Sequence, residues 1–125
     1  MMARILVADD EEPIRELMLR VLAREGHKVM LANDGGHAAE IMAAEIAAGE
    51  PFDLLLSDIV MPVMDGIALA LHAANEQPEL KIVLMTGYAA ELERVHNLSD
   101  LVHAVVRKPF LIAEMVQVIE DALNR

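Results

Sequence analysis

The sequence predicts an α/β fold in which a doubly wound parallel sheet carries helices on both faces. Two observations lead there. Short apolar, β-favouring runs alternate with longer segments whose apolar residues recur at helical spacing, and strict βα alternation implies parallel strands joined by right-handed crossovers. One run, Leu54-Leu55-Leu56-Ser57-Asp58-Ile59-Val60-Met61-Pro62, is dense enough to be a buried central strand, and it ends on a carboxylate with a proline four residues later. At 125 residues and 55% hydrophobic, with six Gly and five Pro, the chain has material for one core and no second. The expectation is a single domain over residues 1–125 with no output domain attached.

Taken in order, Ala3 to Ala8 is a short strand that runs into four successive acids, Asp9-Asp10-Glu11-Glu12. Pro13 then opens a helix with Ile14, Leu17, Met18, Val21 and Leu22 on one stripe, ended by Gly26. His27 to Ala32 reads as a second strand, Asn33-Asp34-Gly35-Gly36 as a turn, and His37 to about Ala48 as a helix carrying Ile41 and Met42 inward and stopping at Gly49. After the Asp58 strand, Asp65-Gly66 is a turn into a helix from Ile67 to about Glu76, closed by Pro78. Lys81 to Met85 is a fourth strand, ending on Thr86-Gly87-Tyr88, and Ala89 to Asn97 is a short helix. Leu101 to Arg107 holds a fifth strand, and Leu111 to Asn124 a helix with Ile112, Met115, Val116, Ile119 and Leu123 on one face.

Five strands and five helices at this size suit the flavodoxin-like (βα)5 order 2-1-3-4-5. Ligands gather at the carboxyl ends of such strands, and here those ends carry Asp9 and Asp10, Asp58, Thr86 and Lys108. Each residue alone is an ordinary loop acid, strand-end hydroxyl or surface charge, and the prediction rests on their convergence. Crowded carboxylates repel one another and would hold protons unless a cation neutralises them. Oxygen donors without His or Cys favour a hard divalent ion, Mg2+. A lysine, a threonine hydroxyl and the space left by Gly87 are what a transferring phosphoryl group needs, with Asp58 as its nucleophile and acyl phosphate as the product.

Composition removes other classes. No cysteine means no disulfide framework, thiolate metal site or thiol nucleophile, which suits a reducing cytoplasm. There is no signal-like start and no apolar run of membrane-spanning length. A formal net charge of −11 argues against nucleic acid or an anionic membrane as a partner. His27, His37, His72, His96 and His103 fall on different elements without ligand spacing, and most of the nine Met occupy core-like positions. A flavin phosphate would be repelled by residues 9–12. A haloacid-dehalogenase-type phosphatase would want a second Asp where Val60 stands.

At these residues the chain resembles the receiver domains of bacterial two-component response regulators over essentially its whole length. The likeness is carried by Asp9-Asp10, by Asp58 in Asp-Ile-Val-Met-Pro-Val-Met-Asp-Gly, by Thr86 in Met-Thr-Gly-Tyr-Ala, and by Lys108 in Lys-Pro-Phe, and their spacings also fit. The resemblance implies that Asp58 accepts a phosphoryl group, with Mg2+, from the phosphohistidine of a sensor histidine kinase or histidine phosphotransfer protein. It implies Asp10, Asp58 and the Val60 carbonyl as direct metal ligands, Asp9 acting mainly through water, Thr86 and Lys108 on the phosphoryl oxygens, and a cis Lys108-Pro109 bond. The domain would be a regulator rather than an enzyme, its face of fourth helix, fifth strand and fifth helix moving with Thr86. Val60 and Tyr88 are poor water-orienting groups, which implies slow self-dephosphorylation.

Two departures stand out. Val105 replaces the aromatic residue often found three positions before the lysine, and Glu91 to His103 lacks the usual Ala/Gly-rich loop. Tyr88 and Phe110 lie beside the switch as candidate partner anchors. Phe52 to Pro62, Met85 to Ala89 and Val105 are similar to alphaproteobacterial single-domain regulators that prime the Clp protease, which implies an ATP-dependent protease or its substrates as partners. The alternative is a phosphorelay intermediate that passes phosphate between histidines.

Overall fold

A computed structural model describes residues 2–125. Five strands, β1 (Arg4–Ala8), β2 (Lys28–Ala32), β3 (Leu54–Asp58), β4 (Lys81–Thr86) and β5 (Ala104–Arg107), form one sheet in the order β2-β1-β3-β4-β5. All four pairings are parallel. The connecting helices are α1 (Glu12–Arg24), α2 (Gly35–Ala47), α3 (Gly66–Glu76), α4 (Ala89–His96) and α5 (Ile112–Leu123). The flavodoxin-like order predicted from the alternation is the one observed. Among the described residues no helix is long and apolar enough to cross a membrane.

The sheet separates two apolar layers. Leu6, Leu55, Ile82 and Leu84 pack with Met42 of α2, Leu69 of α3 and Val95 of α4 on one side. Ile5, Val7, Leu54, Leu56, Val83 and Met85 pack with Met18 of α1 and Met115 and Ile119 of α5 on the other. Successive strand residues point to opposite faces, so strands without alternating polarity, such as Leu54-Leu55-Leu56, are required where both faces are covered. β3 is buried along its entire length, as its apolar density predicts.

Several element boundaries differ from the sequence reading for identifiable reasons. Gly35 and Gly36 belong to α2 rather than to a turn, because Asp34 caps the helix by accepting from the His37 N–H at 2.8 Å. Gly66 likewise opens α3, capped by Asp65 through the Ala68 N–H at 2.8 Å. Pro13 stands within the first turn of α1, as expected, where its missing N–H is harmless. β5 begins only at Ala104, after His103 has bonded Ile82 twice: its N–H donates to the Ile82 carbonyl at 2.8 Å and its Nδ1 accepts from the Ile82 N–H at 3.2 Å. α4 is short, as expected.

The loop from Asp58 to Asp65 is wedged between two helix starts. A Cβ on Gly66 would lie 2.1 Å from the Asp58 carbonyl oxygen, and one on Gly35 would lie 2.0 Å from the Met64 carbonyl oxygen. The Gly66 N–H donates to the Ile59 carbonyl at 2.7 Å. Val63, at the loop's crest, has φ 70, a conformation strained for a β-branched side chain. Both helices thus press on backbone, and backbone cannot rotate aside as a side chain can.

Gly66→Ala is therefore expected to lower stability by about 1–3 kcal/mol, the usual cost of overpacking a site that cannot relax. Denaturant unfolding of the variant against the native chain measures it. A variant as stable as the native chain would mean that α3 can retreat from Asp58.

Candidate phosphoacceptor and metal site

Parallel register assembles the site. Ala8 lies opposite Ser57, Asp58 opposite Met85, and Thr86 opposite Arg107. Asp9 follows Ala8 and Lys108 follows Arg107, so Asp9, Asp58, Thr86 and Lys108 occupy neighbouring places on the carboxyl rim of β1, β3, β4 and β5. The Lys108 N–H donates to the Thr86 carbonyl at 2.8 Å, continuing the β4–β5 pairing one residue past the strand. The Lys108-Pro109 peptide is cis.

Carboxylate oxygens of Asp9, Asp10 and Asp58 lie within 4.8 Å of one another. Asp9 is fully buried and Asp58 nearly so, at 7% exposure, whereas Asp10 is exposed. The Lys108 ammonium lies among these acids rather than across from them: Nζ is 3.0 Å from Asp9 Oδ2, 3.2 Å from Asp58 Oδ2 and 3.6 Å from a carboxylate oxygen of Glu11. Two buried carboxylates sharing one cation is a costly arrangement, tolerable because each is also hydrogen-bonded.

The ionisation of the pair reflects that balance. Burial is the largest influence on Asp58 and raises its pKa above the ordinary carboxylate value; the Lys108 charge opposes this and the Asp9 charge adds to it. For Lys108, burial is the largest single effect and pulls the pKa down. The hydrogen bond and charge of Asp9, joined by those of Asp58, outweigh it and raise the pKa overall.

The other expected residues are also at the rim. Thr86 is fully buried, and its hydroxyl is engaged with the backbone two residues on, accepting from the Tyr88 N–H at 3.0 Å and donating to the Tyr88 carbonyl at 3.3 Å. Val60, two residues past Asp58, is 44% exposed, and Tyr88 is 63% exposed. Phe110 is half-buried against the α1–α5 layer, which leaves Tyr88 as the exposed aromatic of the two. Val105 packs against the opposite layer.

The sequence reading passed over some of the machinery. Ser57 donates its hydroxyl to the Asp58 carbonyl at 2.8 Å, and Arg15 donates to the Asp9 carbonyl at 2.8 Å. A cation one helical turn beyond a run of four acids was the available signal for Arg15. Arg94 of α4 reaches Asp65 at 2.9 Å and also pairs with Glu91, tying α4 to the end of the Asp58 loop.

The donor set suits a magnesium ion. It consists of hard carboxylate oxygens on two adjacent loops, one of them open to solvent, without nitrogen or sulfur, and Mg2+ characteristically takes a few such oxygens and completes its shell with water.

Residues 5–120 match the family model of the response regulator receiver domain. The chain is 38% identical over 122 residues to the response regulator receiver protein CpdR of Brucella abortus, covering 98% of each. It is 31% identical over 123 residues to the sensor kinase CckA of the same species, covering 98% of this chain and 13% of that one. It spans about half or less of several other curated relatives. Among solved structures, the response regulator TrrA of Thermotoga maritima, in complex with Mg(2+)-BeF, superposes with a TM-score of 0.80 at 30% identity, over 97% of this chain and 99% of that one.

The raised pKa of Asp58 makes a stability prediction. A carboxylate whose folded pKa lies above its unfolded value favours the fold fully below the unfolded value of 3.8, and that contribution is lost as pH rises through the folded pKa. At neutral pH without divalent ions, ionised Asp58 therefore strains the fold. Asp58→Asn should melt higher than the native chain at pH 7 in EDTA, with the difference shrinking as pH falls toward 3.8. A difference independent of pH would show that Lys108 fully compensates the buried charge.

Proposed function

The chain belongs to the response regulator receiver domains, and we propose that it is a phosphoacceptor switch in which Asp58 is the residue modified. The observation that carries this reading is the Lys108 ammonium held 3.0 Å from Asp9 and 3.2 Å from Asp58 beside an exposed Asp10. A carboxylate nucleophile, a cation and acid ligands for a divalent ion are thereby together at one rim.

In the proposed reaction, an Asp58 carboxylate oxygen attacks the phosphorus of a phosphohistidine on a sensor histidine kinase or histidine phosphotransfer protein. The P–N bond breaks as the P–O bond forms, and the imidazole departs with the bonding pair and takes up a proton. Asp10, Asp58 and the Val60 carbonyl would hold Mg2+, with Asp9 acting through water; the ion supplies positive charge against the phosphoryl oxygens. Lys108 turns from its carboxylate pair toward those oxygens. The Thr86 hydroxyl exchanges its Tyr88 contacts for a stronger, charge-assisted bond to the phosphoryl group.

Tyr88 immediately precedes α4, so release of its backbone from Thr86 provides a route from Asp58 to the face of α4, β5 and α5. The domain is then a regulator whose two states differ at that face, not an enzyme acting on an external substrate. Neither Val60 nor Tyr88 is a good water-orienting group, which supports slow hydrolysis. A cytoplasmic location agrees with the absence of a membrane-spanning helix among the described residues.

The downstream role we favour is an adaptor that controls delivery of substrates to an ATP-dependent Clp protease. It is supported by the segments Phe52 to Pro62 and Met85 to Ala89 with aliphatic Val105, and by near full-length similarity to CpdR. Similarity to a segment of the sensor kinase CckA supports a second reading, a relay intermediate passing phosphate between histidines.

Acetyl phosphate with Mg2+ should phosphorylate the native chain, and should leave Asp58→Ala or an EDTA-treated sample unmodified, as read by intact mass. Modification of Asp58→Ala at the native rate would end the proposal. Affinity capture with Asp58→Ala and with the Mg2+–beryllofluoride form then separates the roles. Selective retention of a Clp protease or its substrates supports the adaptor, and recovery of kinases and phosphotransfer proteins alone supports the relay.

A further inference from the structure

Every polar atom of Asp9 is engaged. Its N–H donates to the Ala32 carbonyl at 3.2 Å, Oδ1 accepts from the Glu11 N–H at 2.9 Å, and Oδ2 faces Lys108. Its carbonyl accepts from Arg15 Nη1 at 2.8 Å. Asp10 lies between the two braced points, the Asp9 carbonyl and the Glu11 N–H, so its exposed carboxylate takes its direction from them.

We propose that Arg15 is a positioning residue for the metal site, holding the turn between β1 and α1 so that the carboxylates of Asp9 and Asp10 converge on one ion. The inference rests on the phosphoacceptor reading, since it presumes that the acid cluster binds Mg2+. Arg15 suits the task because α1 is itself anchored: Asp9 directly follows the buried strand β1, and the Arg15 N–H donates to the Glu11 carbonyl at 3.1 Å as α1 begins. A guanidinium reaching back from that turn locks strand end to helix start through a charge-assisted bond.

Two effects of opposite sign act on the ion. As a cation near the cluster, Arg15 repels a divalent ion; as a brace, it pre-orients the ligands and spares the ordering entropy of binding. Bracing dominates here, because the guanidinium bonds a backbone carbonyl rather than a ligand carboxylate and so neutralises no ligand. Residues that orient metal ligands from behind typically govern metal affinity by about 10–100-fold.

Titration calorimetry of MgCl2 into the metal-free native chain, Arg15→Ala and Arg15→Lys tests this, with thermal melting in EDTA verifying that each is folded. Arg15→Ala is expected to bind Mg2+ about 10–100-fold more weakly. Arg15→Lys, which keeps the charge and one donor, should recover part of the loss. With acetyl phosphate, the Mg2+ concentration for half-maximal phosphorylation should rise in Arg15→Ala while the rate at saturating Mg2+ stays near native. Native or tighter Mg2+ binding by Arg15→Ala overturns the inference, and an unfolded Arg15→Ala leaves the decision to Arg15→Lys, whose affinity must then fall between native and undetectable. A native chain that binds no Mg2+ overturns the phosphoacceptor reading itself, and the inference with it.

Discussion

Two buried carboxylates and a single ammonium hold the rim of this protein together. Removing a carboxylate from water is costly, and two side by side would force a proton onto one of them unless a cation stood between. Lys108 is that cation, delivered from the far side of β4 by the pairing of β5 and by the loop that follows it. Its attachment is electrostatic and short-ranged, so it depends on both acids being charged. The fold is accordingly built to tolerate this tension, and the remainder of the structure compensates with a fully buried β3 and two closely packed layers.

Much of this was legible in the sequence because the informative signals were periodic or terminal. Apolar runs of strand length alternating with helical stripes specified a parallel sheet, and the residues with chemistry followed directly after the runs. Topology did the rest, since parallel strands necessarily share one carboxyl edge. Asp9, Asp10, Asp58, Thr86 and Lys108 could be placed together without any contact being known. Helix starts were less legible: Asp34-Gly35-Gly36 and Asp65-Gly66 look like turns, and only the presence of the Met64 and Asp58 carbonyls against them explains glycine inside a helix.

Pairings between distant residues were not legible, because they depend on which of several acids a long side chain reaches. The sharing of Lys108 between Asp9 and Asp58, the closed hydroxyl turn of Thr86 on Tyr88, and the bond from Arg15 to a backbone carbonyl belong to this class. Histidines are similar. His27, His37 and His103 look unrelated along the chain, yet each accepts a backbone N–H at Nδ1, and His27 also pairs with Glu120. These rings act as side-chain substitutes for missing strand or turn partners, which no spacing rule announces.

The division of the interior into two layers has a consequence for how such a molecule can change over time. β4 contributes Ile82 and Leu84 to one layer and Val83 and Met85 to the other, and the sheet backbone stands between the two sets of side chains. Substitutions that reshape α1 and α5 should therefore combine additively with those that reshape α2, α3 and α4. The rim, where Lys108 meets Asp9 and Asp58, and β5, which gives Val105 to one layer and Val106 to the other, are where the two histories remain coupled.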